Sequence, residues 1–527
     1  MTEENDNTNN LNMLIEKAFS TRINTQTHNF PPLVDVTDSE FGVDLSNEGM
    51  FDETERMVMV DTCADLIADY IEQNPLVFSK PEYTSIIRDS VIGLLEETIK
   101  PCVGIVAEEE LGLIYQLASY IVFTTIAPRR SYKKTFIRKV KQNPEIIKQR
   151  LEDIRSRPQS EQCTPQWYID RWNRLSGSNA WKAFSTQSQI NSLIVEKCKP
   201  IDTNKFKNVN TESSLHHGKR FEPVSTQYYE YIYGAKVAEF GCVPHNEHTF
   251  LGASPDGIVV NEECERFGRM LEIKNVTTRK INGIPKEEYW IQMQLQMEVC
   301  NLNECDFLET EINTYADYNE FEADGTFQKS ANGKFKGVIS QYNVDGQPFY
   351  EYAPFQCTQE EFDKWEEQIC EKHSNHTWVT NIYYRIDTIS CVLVLRNKKW
   401  MRAAIEVLRK VWEQILYERE NGFDHRLPKT KTTTKKTNYS ITQINENMQQ
   451  TQQKKTNCVF NVVKLLSQDG EQVQEPQQER HAQLQPEKLE MEMDTELKTE
   501  TDVKPIVNHK KRKTHDKGNE PTLYVDI

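Results

Sequence analysis

The chain has 527 residues, 37% of them hydrophobic, enough for one large or two medium domains together with polar tails. Its net charge of −17, from 80 acidic against 63 basic residues, argues against a nucleic-acid coat protein but not against an enzyme that gathers its basic residues locally. A mean hydropathy of −0.69 leaves part of the chain outside any folded core, and no apolar run approaches the length of a membrane span. Twelve cysteines are scattered without CxxC pairs and no secretory apolar region opens the chain, so reduced thiols in a cytosolic or nuclear protein are expected.

Residues 1–50, rich in Asn, Thr, Asp and Glu, are expected to form a disordered N-terminal segment. From Phe51 a helical spacing sets in, with Met57, Val60, Cys63, Leu66, Ile67 and Tyr70 recurring every three or four residues. Further helices are expected over 83–99 and 108–125, which makes 51–157 a helical N-terminal subdomain. Its end is basic: Arg129, Arg130, Lys133, Lys134, Arg138, Lys139, Lys141, Lys148 and Arg150 stand against one acid, Glu145, with Tyr132 and Phe136 interleaved. Such a run can be a solvated helix face, but in so acidic a chain it reads better as a contact for a phosphate backbone.

The segment 158–427 carries the chemistry. Gln166-Trp167-Tyr168-Ile169-Asp170-Arg171 is followed by Arg174-Leu175-Ser176-Gly177-Ser178. His216-His217-Gly218-Lys219-Arg220-Phe221-Glu222 then opens a helix expected to reach about residue 240, with Glu222 one turn in and Tyr229, Ile232 and Val237 as its apolar stripe. His216, His217, His245 and His248 could suggest zinc, but no cysteine spacing accompanies them.

Residues 249–298 are the centre of the pattern. A strand running through Ser254-Pro255-Asp256 to Val260 is followed, after a polar turn, by the strand Arg269-Met270-Leu271-Glu272-Ile273-Lys274-Asn275 and then by a helix that contains Gln292, Gln294 and Gln296. Alternation along a strand puts Glu272 and Lys274 on one face and Ile273 on the other. Met270, Leu271, Ile273 and Val276 mark that strand as buried, where charges need partners or a metal. Hard oxygen ligands without a neighbouring cysteine or histidine favour magnesium or manganese, so the pattern is that of a metal-dependent phosphoryl-transfer site. The competing reading, an exposed Glu272–Lys274 cross-strand pair, leaves Asp256 and Gln292 unexplained. Gln296 shares a helix face with Gln292 and is the second choice for the same role.

Thr358-x-x-Glu361 is a capping box for a helix to about residue 371; a strand over 389–395 and a helix over 401–417 follow. After Pro428 the composition turns to Lys, Thr, Gln and Glu, the sign of a disordered tail over 428–527. Within it His509-Lys510-Lys511-Arg512-Lys513 resembles a nuclear-import signal.

Four motifs in this order resemble the lambda-type exonucleases and YqaJ-like viral recombinases of the PD-(D/E)xK nuclease superfamily: Trp167-x-x-x-Arg171 with Ser178 following, Gly218-x-x-x-Glu222, Ser254-Pro255-Asp256-Gly257 with Glu272-x-Lys274, and Tyr289-x-x-Gln292. In type the chain is most similar to the alkaline exonucleases of large insect DNA viruses. The chain departs from the family in carrying Asn275-Val276 where Cys-Pro is common and in a short segment between Lys274 and Gln292. Its first motif also has a second arginine, Arg174, whose spacing suits it less than Arg171.

The resemblance implies an α/β fold, a restriction-endonuclease-like core with a mixed central sheet flanked by helices. It implies that Asp256, Glu272 and the Ile273 carbonyl hold magnesium, with manganese as a substitute, and that Glu222 reaches the ion or a water. Lys274 would orient the nucleophile, Gln292 would hold Lys274 or that water in register, and Arg171, Ser178 and Ser254 would receive a terminal 5′-phosphate. The activity implied is 5′-to-3′ digestion of double-stranded DNA ends, leaving 3′ strands for a single-strand-annealing or single-strand-binding partner. A homo-oligomer, a nuclear location and no membrane are further expectations. A structure-specific endonuclease and a silent DNA-binding scaffold are the competing functions.

Overall fold

The computed structural model describes residues 51–132, 143–201, 210–211 and 213–428, which all lie in one compact unit. The expected polar segment 1–50, the basic residues 133–142, the tail beyond residue 428 and its basic cluster at 509–513 lie outside the described residues.

Three helices come first: α1 (Glu53–Gln73), α2 (Tyr83–Val103) and α3 (Glu108–Thr125). Asp52 and Glu55 form a reciprocal capping box that starts α1, satisfying backbone N–H groups the first turn would otherwise leave free. Tyr83, Ile87, Val91, Leu95 and Ile99 of α2 are buried at a spacing of four, one stripe of a helix. That stripe belongs to the same hydrophobic core as Trp290 and Trp400, two indoles packed edge to face 5.2 Å apart. The helical extension therefore shares the core of the residues after it.

Then come α4 (Pro144–Ser156), α5 (Pro165–Trp172), β1 (Leu175–Ser176), the single turn α6 (Gly177–Ala180), α7 (Gln187–Cys198) and α8 (Ser214–Tyr233). Helix α8 stops at Tyr233 rather than near residue 240, because Gly234 takes a left-handed conformation (φ 59°) and donates its N–H to Glu230 O. Its buried stripe is Phe221, Val224, Tyr228 and Tyr229; Ile232 is 41% exposed and Val237 has passed into a strand.

Five short strands follow: β2 (Val237–Ala238), β3 (Val243–Pro244), β4 (Leu251–Ala253), β5 (Gly257–Val259) and β6 (Met270–Asn275). Helix α9 (Glu287–Cys300) crosses over to β7 (Glu304–Thr314), which lies parallel to β6, a β-α-β unit. The chain ends its described part with α10 (Tyr318–Ala323), β8 (Lys336–Val344), β9 (Gln347–Tyr352), α11 (Gln359–Lys372), β10 (Thr377–Leu395) and α12 (Lys398–Asn421). Thr358 and Glu361 form the capping box of α11.

The main sheet has seven strands in the order β2-β5-β6-β7-β10-β8-β9; a smaller sheet joins β1, β4 and β3. The architecture is mixed α/β, as expected. Strand β10 is far longer than the apolar run 389–395: its second half pairs with β7, with a register shift at Ile386/Thr388, and its first half with β8, with one at Trp378/Thr380. The two central strands are covered on both faces. Met270, Cys305 and Phe307 share a core with α9, whereas Leu271, Ile273 and Leu308 share one with α8.

Arg130 does not belong to a surface for phosphates. It is buried, donates from Nη2 to Ser79 O (3.3 Å) and receives the Trp290 indole N–H on its own carbonyl (2.9 Å). Lys148 of the same basic run is taken up by Glu145 and Glu262 at 3.0 and 2.7 Å.

Under β7, Asp306 is fully buried and accepts from Arg266, from Arg269 (3.1 Å) and from the Tyr229 hydroxyl (2.6 Å). Removing one partner of a buried pair strands the other charge, at about 3–5 kcal/mol. Asp306→Ala is expected to lower the unfolding free energy by about that much in urea titrations; a loss under about 1 kcal/mol would show the network to be dispensable.

Candidate active site

Strand β5 pairs with β6 only at Gly257–Leu271 and Ile258–Met270, so β6 runs on past it with an open edge. Val259 N–H donates to Arg269 O (2.9 Å), and Val276 N–H, on the opposite side, to Thr310 O of β7 (2.7 Å). Backbone groups alternate sides along a strand, so Ile273 turns both its N–H and its carbonyl to the open edge. Asp256, the residue before β5, covers that edge: its Oδ2 accepts the Ile273 N–H at 2.7 Å. The aspartate and the Ile273 carbonyl are thereby neighbours.

On the face toward α9, Glu272 is fully buried and both its oxygens are used. Lys274 Nζ donates to Oε1, and Gln296 Nε2 donates to Oε2 at 2.8 Å. The same Gln296 nitrogen lies 3.3 Å from Ser254 O, so one amide ties the glutamate strand to the Ser254-Pro255-Asp256 turn. Lys274 Nζ stands 5.2 Å from the centre of the Tyr289 ring. Gln292, one turn earlier on α9, sits against the turn α6: a Cβ on Gly177 would meet its Cγ at 3.2 Å. The amide that reaches Glu272 is thus that of Gln296, not of Gln292. Both lie on one helix face, and the turn α6 abuts both of them.

Glu222 approaches from α8, the helix on the other face of the sheet. Asn275 fixes that helix against β6. Its Oδ1 accepts from Ser225 Oγ (2.7 Å) and Thr310 Oγ1 (2.6 Å), and its Nδ2 donates to Gly218 O (2.8 Å).

Burial, then the nearby Glu272 and Glu222, hold the Asp256 carboxyl well above the usual range. Burial pushes Glu222 up to about 7, against the opposing pull of Lys274 and with smaller contributions from Glu272 and Glu239. Burial works against the charge on Lys274, but Glu272 and Asp256 lift it above its ordinary value. Three carboxylates face one ammonium, a deficit of positive charge that a cation would relieve.

Among the described residues no three Asp, Glu, His or Cys side chains come together as a metal-holding group. The oxygen donors the site could offer a hard divalent ion are the carboxylates of Asp256 and Glu272 and the backbone oxygen of Ile273. Two of the histidines are engaged elsewhere: His216 with the Tyr350 hydroxyl (2.6 Å), and His245 Nδ1 with the Glu247 and His248 N–H groups (3.0 Å each).

The three residues expected to hold a phosphate are linked through Trp167. Thr164 caps α5, and Trp167 and Arg171, four apart, lie on one face of it. The Arg171 guanidinium is 4.3 Å from the centre of the Trp167 ring and donates to Ser178 Oγ (2.5 Å); Trp167 Nε1 donates to Ser254 Oγ (3.0 Å). Arg174 turns back to Asp170 O at 3.2 Å. Glu309 escaped the sequence reading. It lies beside Lys274 in the β6–β7 register and pairs with Arg279, whose guanidinium is 5.7 Å from the Tyr289 ring centre. Strand alternation from Phe307 was the signal that could have found it.

The mixed sheet brings an aspartate and a Glu-x-Lys strand together at one edge, with a glutamate from the helix beneath, the arrangement that the resemblance to PD-(D/E)xK nucleases leads one to expect. Residues 166–303 match the YqaJ-like viral recombinase domain. The chain is also 27% identical over 351 residues to the uncharacterised protein R354 of Acanthamoeba polyphaga mimivirus; the match takes in 58% of this chain and 62% of that protein, less than two thirds of its length. Among solved structures it is similar to an alkaline exonuclease of Laribacter hongkongensis, LHK-Exo, at 16% identity over 49% of this chain and 95% of that one, with a TM-score of 0.28. LHK-Exo in complex with dAMP matches over the same shares at 0.27.

The raised Glu222 carboxyl has a signed consequence in the metal-free protein. The folded state holds a proton there that the unfolded state has released between about pH 4.5 and 7, so this group lowers stability as pH rises through that window. With a chelator present, Glu222→Gln is expected to melt progressively higher than the parent as pH goes from 4.5 to 7. A difference that does not change with pH would contradict the assignment.

Proposed function

We propose that the protein is a divalent-metal-dependent nuclease that digests double-stranded DNA from 5′ ends, leaving 3′ single strands for recombination and processing of viral DNA. The observation that carries this reading is one connected set of contacts: Asp256 on the Ile273 backbone, Gln296 between Glu272 and Ser254, and Ser254 through Trp167 to Arg171.

Asp256, Glu272 and the Ile273 carbonyl would hold magnesium, or manganese in its place, with Glu222 beside them. When bound, such an ion polarises the scissile phosphate and makes hydroxide available near neutral pH. Lys274, kept charged by Glu272 and Asp256, neutralises charge that develops on the phosphate. Glu222 can take or release a proton at its carboxylate near neutral pH. Gln296 keeps Glu272 and the Asp256 turn in one register. Arg171, Ser178 and Ser254 offer a guanidinium and two hydroxyls to the terminal phosphate, donors matched to its oxygens. A single-strand-annealing or single-strand-binding partner would take up the 3′ strand, and a homo-oligomer would keep the enzyme on its duplex. Residues 509–513 would serve entry into a host nucleus.

End-labelled linear duplex, incubated with and without magnesium, is expected to lose its 5′ label first, while covalently closed circles stay intact. Asp256→Ala and Glu272→Ala should each lower the rate by at least about a hundredfold with the circular-dichroism spectrum unchanged. Cutting of closed circles would favour an endonuclease, and full activity in both variants would end the nuclease reading.

A further inference from the structure

The last carbonyls of a helix have no partners within it, and in α5 those carbonyls belong to the residues that present Arg171. Two cations from elsewhere in the chain take them. Lys197, at the end of α7, donates from Nζ to Arg171 O at 2.5 Å. Arg419, near the end of α12, donates from Nη2 to Trp172 O at 2.8 Å and from Nε to Lys197 O at 2.9 Å. Its guanidinium lies 3.7 Å from the centre of the Trp172 ring, and Trp172 Nε1 donates to Lys199 O at 2.9 Å. A buried Glu418 paired with Arg426, which also reaches Asn191 Oδ1 at 2.6 Å, fastens this end of α12 to α7.

Lys197 is only 3% exposed, and burial pushes its ammonium down to about 7. Its neighbour Glu196 is occupied by Lys182 (2.7 Å) and Asn179 (3.2 Å). The lysine thus meets a desolvation cost to hold one backbone carbonyl, that of Arg171. Cations at a helix C-terminus are favourable, but an exposed one would serve that purpose at less cost.

We propose that Lys197 and Arg419 are positioning residues for terminal-phosphate recognition: by gripping the last turn of α5 they aim the Arg171 guanidinium at Ser178 and the Ser254 hydroxyl. The proposal rests on the reading of Arg171, Ser178 and Ser254 as the phosphate pocket. It places a determinant of end recognition in α12, more than a hundred residues beyond the domain matched at 166–303.

The test compares kcat/KM on linear duplexes with 5′-phosphate and 5′-hydroxyl ends, using the full chain with magnesium. The variants are Lys197→Met, Arg419→Ala, Arg171→Ala and the two doubles with Arg171→Ala. Lys197→Met and Arg419→Ala are each expected to reduce the phosphate preference about tenfold, as for loss of one well-placed charge-assisted bond. Neither should reduce it further in the Arg171→Ala background, because both act through that side chain. Variants that melt like the parent and keep its preference overturn the proposal, as does a further drop in the doubles. If Arg419→Ala does not fold, Lys197→Met, which replaces the buried ammonium by an apolar chain of similar size, decides. A parent with no phosphate preference, unmoved by Arg171→Ala, refutes the pocket and the positioning role with it while leaving the metal site untouched.

Discussion

Glu272 is buried in a sheet covered on both faces, where a carboxylate is tolerable only if every oxygen is answered. What answers it organises the rest. Lys274 comes from the same strand two residues on, so that partner follows from the pleat alone. Gln296 comes from the crossover helix, and because its amide also reaches Ser254 O, satisfying the glutamate sets the turn that carries Asp256. Asp256 in turn closes the backbone edge that β5 leaves bare. The charges are expensive singly and tolerable only as a set, which is why loop, strand and helix share one register.

The two helices against this sheet have different tasks. Helix α9 supplies Gln296 and Tyr289 on the charged face, and its opposite side carries Trp290 into the core shared with α1–α3 and α12. Helix α8 packs Phe221, Val224 and Tyr229 on the apolar face and brings Glu222 to the rim. Asn275 joins β6 to α8 by two side-chain hydrogen bonds, through Ser225 and the Gly218 carbonyl, and to β7 by a third, through Thr310. The Asn275 amide oxygen takes two hydrogen bonds and its amide nitrogen gives one.

Arg171 illustrates how a surface arginine acquires a fixed direction. Exposed guanidiniums sample many rotamers; this one is stacked on Trp167, tied to Ser178 and carried on a turn whose carbonyls are held by Lys197 and Arg419. Arg130, by contrast, lies in a basic run yet is structural, because Trp290 and Ser79 draw it inward.

Much of this could be read along the chain. Helices α1–α3 announce themselves by apolar residues at helical spacing, and α11 by Thr358 and Glu361. Alternation in Met270–Asn275 was enough to put Glu272 and Lys274 on one face. These are local regularities, set by residues within a turn or a pleat of one another. Tertiary structure alone decided what depends on distant packing. The choice of Gln296 over Gln292 rests on where α9 lies against β6 and the Ser254 turn. The extension of β10 to Thr377 rests on β8 offering a partner, and the role of Lys197 on α12 closing over α5. None of these has a period or a motif, because a contact between residues far apart in the chain leaves no mark on either one's neighbours.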